Sequence, residues 1–137
     1  MIRGIGHIAI TVKDMAESIR FYTQALGFRE AFEFRHPDSG APWIVYLNIM
    51  PSQFIELFYG GIESHQWNDD RIGFNHLCFQ VDDIHAAVRT IRDAGYLIDS
   101  EPMQGVDHNW QAWLKDPNGI RIELMQIMPD SPQSSYC

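Results

Sequence analysis

Residues 4–14 read GIGHIAITVKD, and residues 73–83 read GFNHLCFQVDD. In each, a glycine is followed three residues later by a histidine, then by an alternating run that closes on aspartate. Gly4 matches Gly73, His7 matches His76, Val12 matches Val81 and Asp14 matches Asp83, all at an offset of 69. The correspondence continues through Ile19–Arg20 and Val88–Arg89 at 69, Gly27 and Gly95 at 68, and Glu56 and Glu123 at 67. Preserved order, type and spacing identify a tandem repeat, and the slow drift is attributed to small loop deletions.

Local patterns agree in both halves. In HIAITV, residues 7, 9 and 11 share one face and Ile8, Ile10 and Val12 the other, as in a half-buried strand. Asp14 then has the position of an N-cap, with Glu17 completing a capping box. Met15, Ile19, Tyr22 and Leu26 follow at helical spacing, and Gly27 fits the residue after the helix. Asp83, Ile84, Val88, Ile91 and Gly95 repeat this. Strands are expected at 29–36, 42–48 and 53–59, and again at 96–101, 109–115 and 119–127. KDPNG at 115–119 makes the hairpin turn between the last two.

The expected fold class is therefore α+β. Two tandem βαβββ modules, 4–59 and 73–127, are joined by a linker at 60–72 within one domain of residues 1–128. They form one curved, cup-like mixed sheet with helices outside. Residues 129–137 are expected to be a mobile tail.

Composition narrows the function. The chain has 137 residues and a net charge of −8. That charge argues against nucleic acid and against anionic membranes. No apolar run approaches the roughly 18 residues of a membrane span. The two cysteines, Cys78 and Cys137, do not suggest a disulfide framework, so a reducing, cytoplasmic location is the simplest expectation.

Alternation puts Glu56 on one face with Phe54 and Phe58, and Glu123 on one face with Arg121 and Met125. His7 and His76 likewise point away from the helix-packed side, each expected near mid-strand. Pseudo-symmetry can bring these two imidazoles and two carboxylates together. Such a set suits one divalent cation, with Zn²⁺, Ni²⁺, Co²⁺, Mn²⁺ and Fe²⁺ all accepting N/O ligands. An octahedral ion would keep two positions for a bidentate oxygen substrate. Trp43, Tyr46, Phe54, Phe58, Trp110 and Trp113 are candidate pocket walls. Asp107 and His108 are a candidate contact loop, and Arg121 a candidate substrate contact. His36, His65 and His85 are expected at the surface, and Cys78 as a small strand residue rather than a nucleophile.

The paired H-I-A-I-x-V-x-D and H-L-C-F-x-V-x-D strands, with LGF, FIELF and DPNGIRIEL, resemble the glyoxalase / vicinal oxygen chelate superfamily over about residues 4–127. The ligand set is similar to that of bacterial-type glyoxalase I, lactoylglutathione lyase. The resemblance implies metal ligands His7, Glu56, His76 and Glu123, with Ni²⁺ or Co²⁺ favoured. It implies isomerisation of the hemithioacetal of methylglyoxal and a thiol such as glutathione, through an enediolate stabilised by the ion. Glu123 matches the family's principal base and Glu56 its pseudo-symmetric partner. It also implies a homodimer with sites at the subunit interface.

Two positions depart from the glyoxalase I pattern. Thr11 stands where an arginine commonly holds a glutathione carboxylate, and Gly60 stands where an asparagine follows the first ligand glutamate. Arg3, Arg20, Arg71, Arg121 and Lys115 are the cations available as substitutes. The alternatives on this scaffold are an epimerase, a thiol-transferring resistance enzyme, an extradiol dioxygenase, or a metal-free ligand-binding protein.

Overall fold

The structure is a computed structural model that describes residues 1–66, 68, 70 and 72–137. It divides into two compact units, Met1–Ser64 and His65–Cys137. The expected linker is therefore split between them, and its Trp67, Asp69 and Arg71 lie outside the described residues.

In the first unit the elements are β1 (His7–Thr11), α1 (Met15–Arg20) running into a π-helical turn (Phe21–Ala25), β2 (Arg29–Arg35), β3 (Pro42–Met50) and β4 (Gln53–Phe58). They build a four-stranded sheet in the order β1-β4-β3-β2, with β1 and β4 parallel and the other pairs antiparallel. The second unit repeats this. β5 (Leu77–Gln80), α2 (Ile84–Asp93), β6 (Ser100–Gln104), β7 (Trp110–Lys115) and β8 (Arg121–Gln126) form a sheet in the order β5-β8-β7-β6. The βαβββ repeat is thus observed twice, in an α+β chain. Backbone pairing among the described residues gives two sheets of four strands, not the one eight-stranded sheet expected.

Each sheet buries one face under its helix. In the first unit Ile10, Val12, Val45, Leu47, Ile55 and Leu57 are buried, as are Met15, Phe21, Tyr22 and Ala25 of the helical segment. In the second, Ala112, Leu114, Ile122 and Leu124 are buried, and so are Ile84, Val88 and Ile91 of α2. A fully buried side chain of this kind contributes about 1.5–3 kcal/mol. The helix starts match the N-cap expectation: the Asp14 carboxylate accepts from Glu17 N at 2.9 Å, and the Asp83 carboxylate from Ala86 N at 2.9 Å.

The helices themselves differ. Six α-helical residues run into five π-helical ones in the first unit, against ten α-helical residues in the second. The repeat offset falls from 69 to 68 between Arg20 and Gly27, which is where the π turn lies. That step of the drift is therefore a residue absorbed inside a helix rather than a loop deletion.

Two boundaries also differ from expectation. The strand expected at 96–101 begins at Ser100, because Tyr96 N is used to close α2, donating to Ile91 O at 3.1 Å. The expected tail carries a short 3-10 helix, Pro132–Tyr136, whose Ser131 cap accepts from Ser134 N at 3.2 Å. Among the described residues no helix is long and apolar enough to cross a membrane.

Candidate metal-binding and catalytic site

Parallel pairing of β1 with β4 sets Ala9 opposite Glu56 and His7 opposite Phe54. His7 and Glu56 therefore reach the same sheet face from adjacent strands. His7 Nδ1 lies 3.3 Å from Glu56 Oε1; the glutamate is only 6% exposed, whereas the imidazole is about half exposed. On the other side of β4, Tyr46 of β3 stands opposite Glu56. Its hydroxyl donates to the Glu56 carboxylate, and this bond, with burial and the carboxylate's charge, holds the phenol above its ordinary pKa.

The second unit has the equivalent arrangement. Cys78 of β5 and Trp113 of β7 flank Glu123 of β8 in register, as Ala9 and Tyr46 flank Glu56. His76 Nε2 lies 3.1 Å from Glu123 Oε2, and Glu123 is 7% exposed. The Trp113 ring stands at 75° to the His76 ring, 4.8 Å away. Its Nε1 donates to Gln111 Oε1 at 3.0 Å, and the Arg121 guanidinium lies 3.9 Å above it. The Cys78 thiol is pushed up to about 12 by burial and then by the Glu123 carboxylate. It stays protonated, as expected of a strand residue rather than a nucleophile.

One expectation of placement is corrected. The glutamates are mid-strand, but His7 is the first residue of β1 and His76 precedes β5. Strand pairing starts only where the glycine-bearing lead-in ends.

The structure thus brings the four expected ligands together as two pairs, one in each unit. Among the described residues no group of three or more His, Cys, Asp or Glu side chains stands close enough to hold an ion. The donor chemistry nevertheless fits a divalent cation. His76 Nδ1 lies 2.7 Å from Asn75 Oδ1. With Nδ1 donating there, the neutral ring turns its Nε2 lone pair toward the Glu123 carboxylate, and two acceptors face one gap. A cation satisfies both, as a proton would.

The remaining candidates divide. Tyr46, Phe54 and Phe58 lie on the Glu56 face. Trp113 and Arg121 lie on the Glu123 face. Trp110 does not: it shares the buried face with Ala112 and Leu114, and its ring meets His85 of α2 at 5.5 Å. Trp43 stacks on His36 at 4.8 Å. His108 pairs with Asp130 at 3.0 Å instead of with either glutamate. Asp107 is tied to Asn109 and Gln133. Burial works against its charge, but those two amide donors, together with the backbone N–H groups of Asp107 and Asn109, outweigh it and hold the carboxyl below its ordinary value. His65 is only partly exposed, and its Nε2 is buried with no hydrogen-bond partner among the described residues.

Among the candidate cations, Arg3 and Arg20 are exposed and Lys115 pairs with Asp99 at 3.2 Å. Thr11 faces Phe58 on the β1–β4 ladder. Gly60 has φ +101°, a conformation that favours glycine over the asparagine of the related pattern. Sequence reasoning passed over Phe32 and Phe34 of β2. Their alternation with Glu33 and Arg35, and their pairing with Tyr46 and Ile44, put both on the Glu56 face.

Comparison with known proteins agrees with this architecture. Residues 4–124 match the model of the Glyoxalase/Bleomycin resistance protein/Dioxygenase superfamily. A probable lactoylglutathione lyase of Vibrio cholerae is 32% identical over 129 residues, 88% of each chain. An ethylmalonyl-CoA/methylmalonyl-CoA epimerase of Cereibacter sphaeroides is 29% identical, over 93% of this chain and 100% of its own. A solved glyoxalase I mutant from Zea mays superposes with a TM-score of 0.75 at 26% identity, over 90% of this chain and 44% of that one. With its duplicated βαβββ units and a match over most of its length, this chain belongs to the Glyoxalase/Bleomycin resistance protein/Dioxygenase superfamily.

Proposed function

We propose that this protein is a metal-dependent, glyoxalase I-like lyase. It would isomerise the hemithioacetal of a 2-oxoaldehyde and a thiol, such as methylglyoxal and glutathione, to the 2-hydroxyacyl thioester. The observation that carries this reading is the repeated pair: one buried glutamate with an imidazole at 3.3 Å in the first unit and at 3.1 Å in the second. A buried carboxylate is costly without a counter-charge, and two at equivalent register positions call for a common reason.

His7, Glu56, His76 and Glu123 would hold one divalent ion, with Ni²⁺ or Co²⁺ favoured. When bound, such an ion acts as a Lewis acid toward vicinal oxygens. Glu123 would take the proton from one carbon of the substrate and return it to its neighbour. Glu56 is its counterpart, oriented by the Tyr46 hydroxyl. A cytoplasmic homodimer with sites at the subunit interface belongs to the same proposal.

Metal analysis and turnover test it together. Purified protein is expected to hold stoichiometric metal, and Glu56→Ala and Glu123→Ala are expected to lose most of it. Full occupancy in both variants would reject the ligand set. Absence of ultraviolet thioester absorbance with methylglyoxal and glutathione, on metal-loaded protein, would reject the lyase.

A second reading is favoured by the full-length match to the epimerase. Epimerisation next to a thioester removes a proton from one face of a carbon and returns one to the opposite face of the same carbon, which is work for two carboxylates acting as base and acid. Turnover of methylmalonyl-CoA in place of the hemithioacetal would establish it.

A further inference from the structure

The two glutamates hold equivalent register positions, but the residues beside them differ. Tyr46 of β3 stands opposite Glu56, and Trp113 of β7 opposite Glu123. The Tyr46 hydroxyl donates to the Glu56 carboxylate. Trp113 has a single side-chain donor, and that Nε1 is engaged by Gln111 Oε1 at 3.0 Å. The other flank shows a weaker contrast in the opposite sense. Ala9 offers Glu56 no side-chain donor, while Cys78 offers Glu123 a thiol, which donates poorly.

The Tyr46 ring is itself held. Phe32 stacks on it at 4.5 Å and 24°, Phe34 meets it edge-on at 5.7 Å and 89°, and Phe54 lies 6.2 Å away. A phenol packed in this way delivers its hydroxyl at a fixed place. With His7 Nδ1 at 3.3 Å from Oε1, Glu56 is tied from both neighbouring strands. Glu123 has His76 Nε2 at 3.1 Å and, among the described residues, no hydroxyl donor.

We infer that Tyr46 is a positioning residue that makes the two glutamates unequal: it locks Glu56 in place and leaves Glu123 as the one that carries a proton. The inference rests on the proposed lyase reading and its ligand set. A carboxylate that takes a proton from one carbon and returns it to the next has to turn between them. Glu123 is free to turn, and Glu56 is not. The same inequality weighs against epimerisation, which calls on both carboxylates.

Tyr46→Phe removes the hydroxyl and keeps the stacked ring, and a melting curve confirms that the variant folds. In metal-free protein the Glu56 carboxyl carbon resonance is expected to shift in this variant and the Glu123 resonance to stay. Co²⁺ affinity is expected to fall about tenfold in Tyr46→Phe and by less than about twofold in Cys78→Ala. Glu123→Gln is expected to abolish turnover of the hemithioacetal at saturating Co²⁺. Adding Tyr46→Phe to it is expected to recover turnover by at least about tenfold, because Glu56 can then turn.

An unmoved Glu56 resonance in Tyr46→Phe overturns the inference. So does an equal loss of Co²⁺ affinity in Tyr46→Phe and Cys78→Ala, or a double variant no more active than Glu123→Gln. Wild-type protein that binds no Co²⁺ or turns over no hemithioacetal rejects the lyase reading instead, and the metal-free resonances still decide whether Tyr46 holds Glu56.

Discussion

Asn75 Oδ1 and His76 Nδ1 are 2.7 Å apart, so neighbouring residues fix the imidazole from behind while its other nitrogen faces Glu123. A partner of this kind sets the tautomer and the ring orientation. Removing it typically costs tenfold or more in metal affinity. Asn75→Ala is expected to weaken Co²⁺ binding by about tenfold with little loss of fold. Competition with a chromophoric chelator measures this, and an unchanged affinity would remove Asn75 from any role at the ligand.

Asn109 is 1% exposed and joins four residues of the second unit. Its amide donates to Asp107 Oδ2 at 2.8 Å, Gln133 Oε1 at 3.0 Å and Met125 Sδ at 3.7 Å, and its carbonyl accepts from Met128 N at 2.9 Å. Asn109→Ala leaves several part-buried polar groups without this partner at once. The expected loss is about 2–3 kcal/mol in urea unfolding. A loss below about 0.5 kcal/mol would mean that water replaces the amide.

The same network has a pH signature. The Asp107 carboxyl is held below its ordinary value, so its charged form is favoured in the folded state. The contribution is present above the ordinary aspartate value of about 3.9 and is lost as pH falls through the depressed native value. The side-chain amide resonances of Asn109 and Gln133 are expected to titrate together, with a midpoint below about 3.9. A midpoint at or above that value contradicts the network.

Gly119 closes the turn between β7 and β8 with φ +84°, and a Cβ there would sit 2.6 Å from the His65 carbonyl oxygen. The neighbour is backbone, so it yields little. Gly119→Ala is expected to cost about 1–3 kcal/mol, seen as a lowered melting temperature. A change within error would show that residue 65 moves freely.

Much of this was legible because the repeat doubles every signal. Histidine and glutamate recur at matched positions, and strand alternation then assigns their faces without knowledge of the fold. Alternation also separates Trp110 from Trp113, since an odd spacing cannot share a face, although both looked like pocket walls. Phe32 and Phe34 were hidden by Glu30, Glu33 and Arg35, whose charges make β2 read as a plain edge strand. The cap of the last helix was present as Ser131 followed by Pro132. The pairing of His108 with Asp130 was not legible, because it joins residues 22 apart through a left-handed backbone at His108, φ +68°.

The π turn at Phe21–Ala25 has a consequence for how this chain tolerates change in length. An added residue in an ordinary helix rotates everything after it by about 100°, and would turn Ala25 and Phe28 out of the core. Here the extra residue is taken up by one widened turn, and Phe21, Tyr22, Ala25 and Phe28 all remain buried. The first module therefore carries a spare residue that its sister lacks. A chain shortened by one position within that turn is the natural test of whether the two modules can be made congruent.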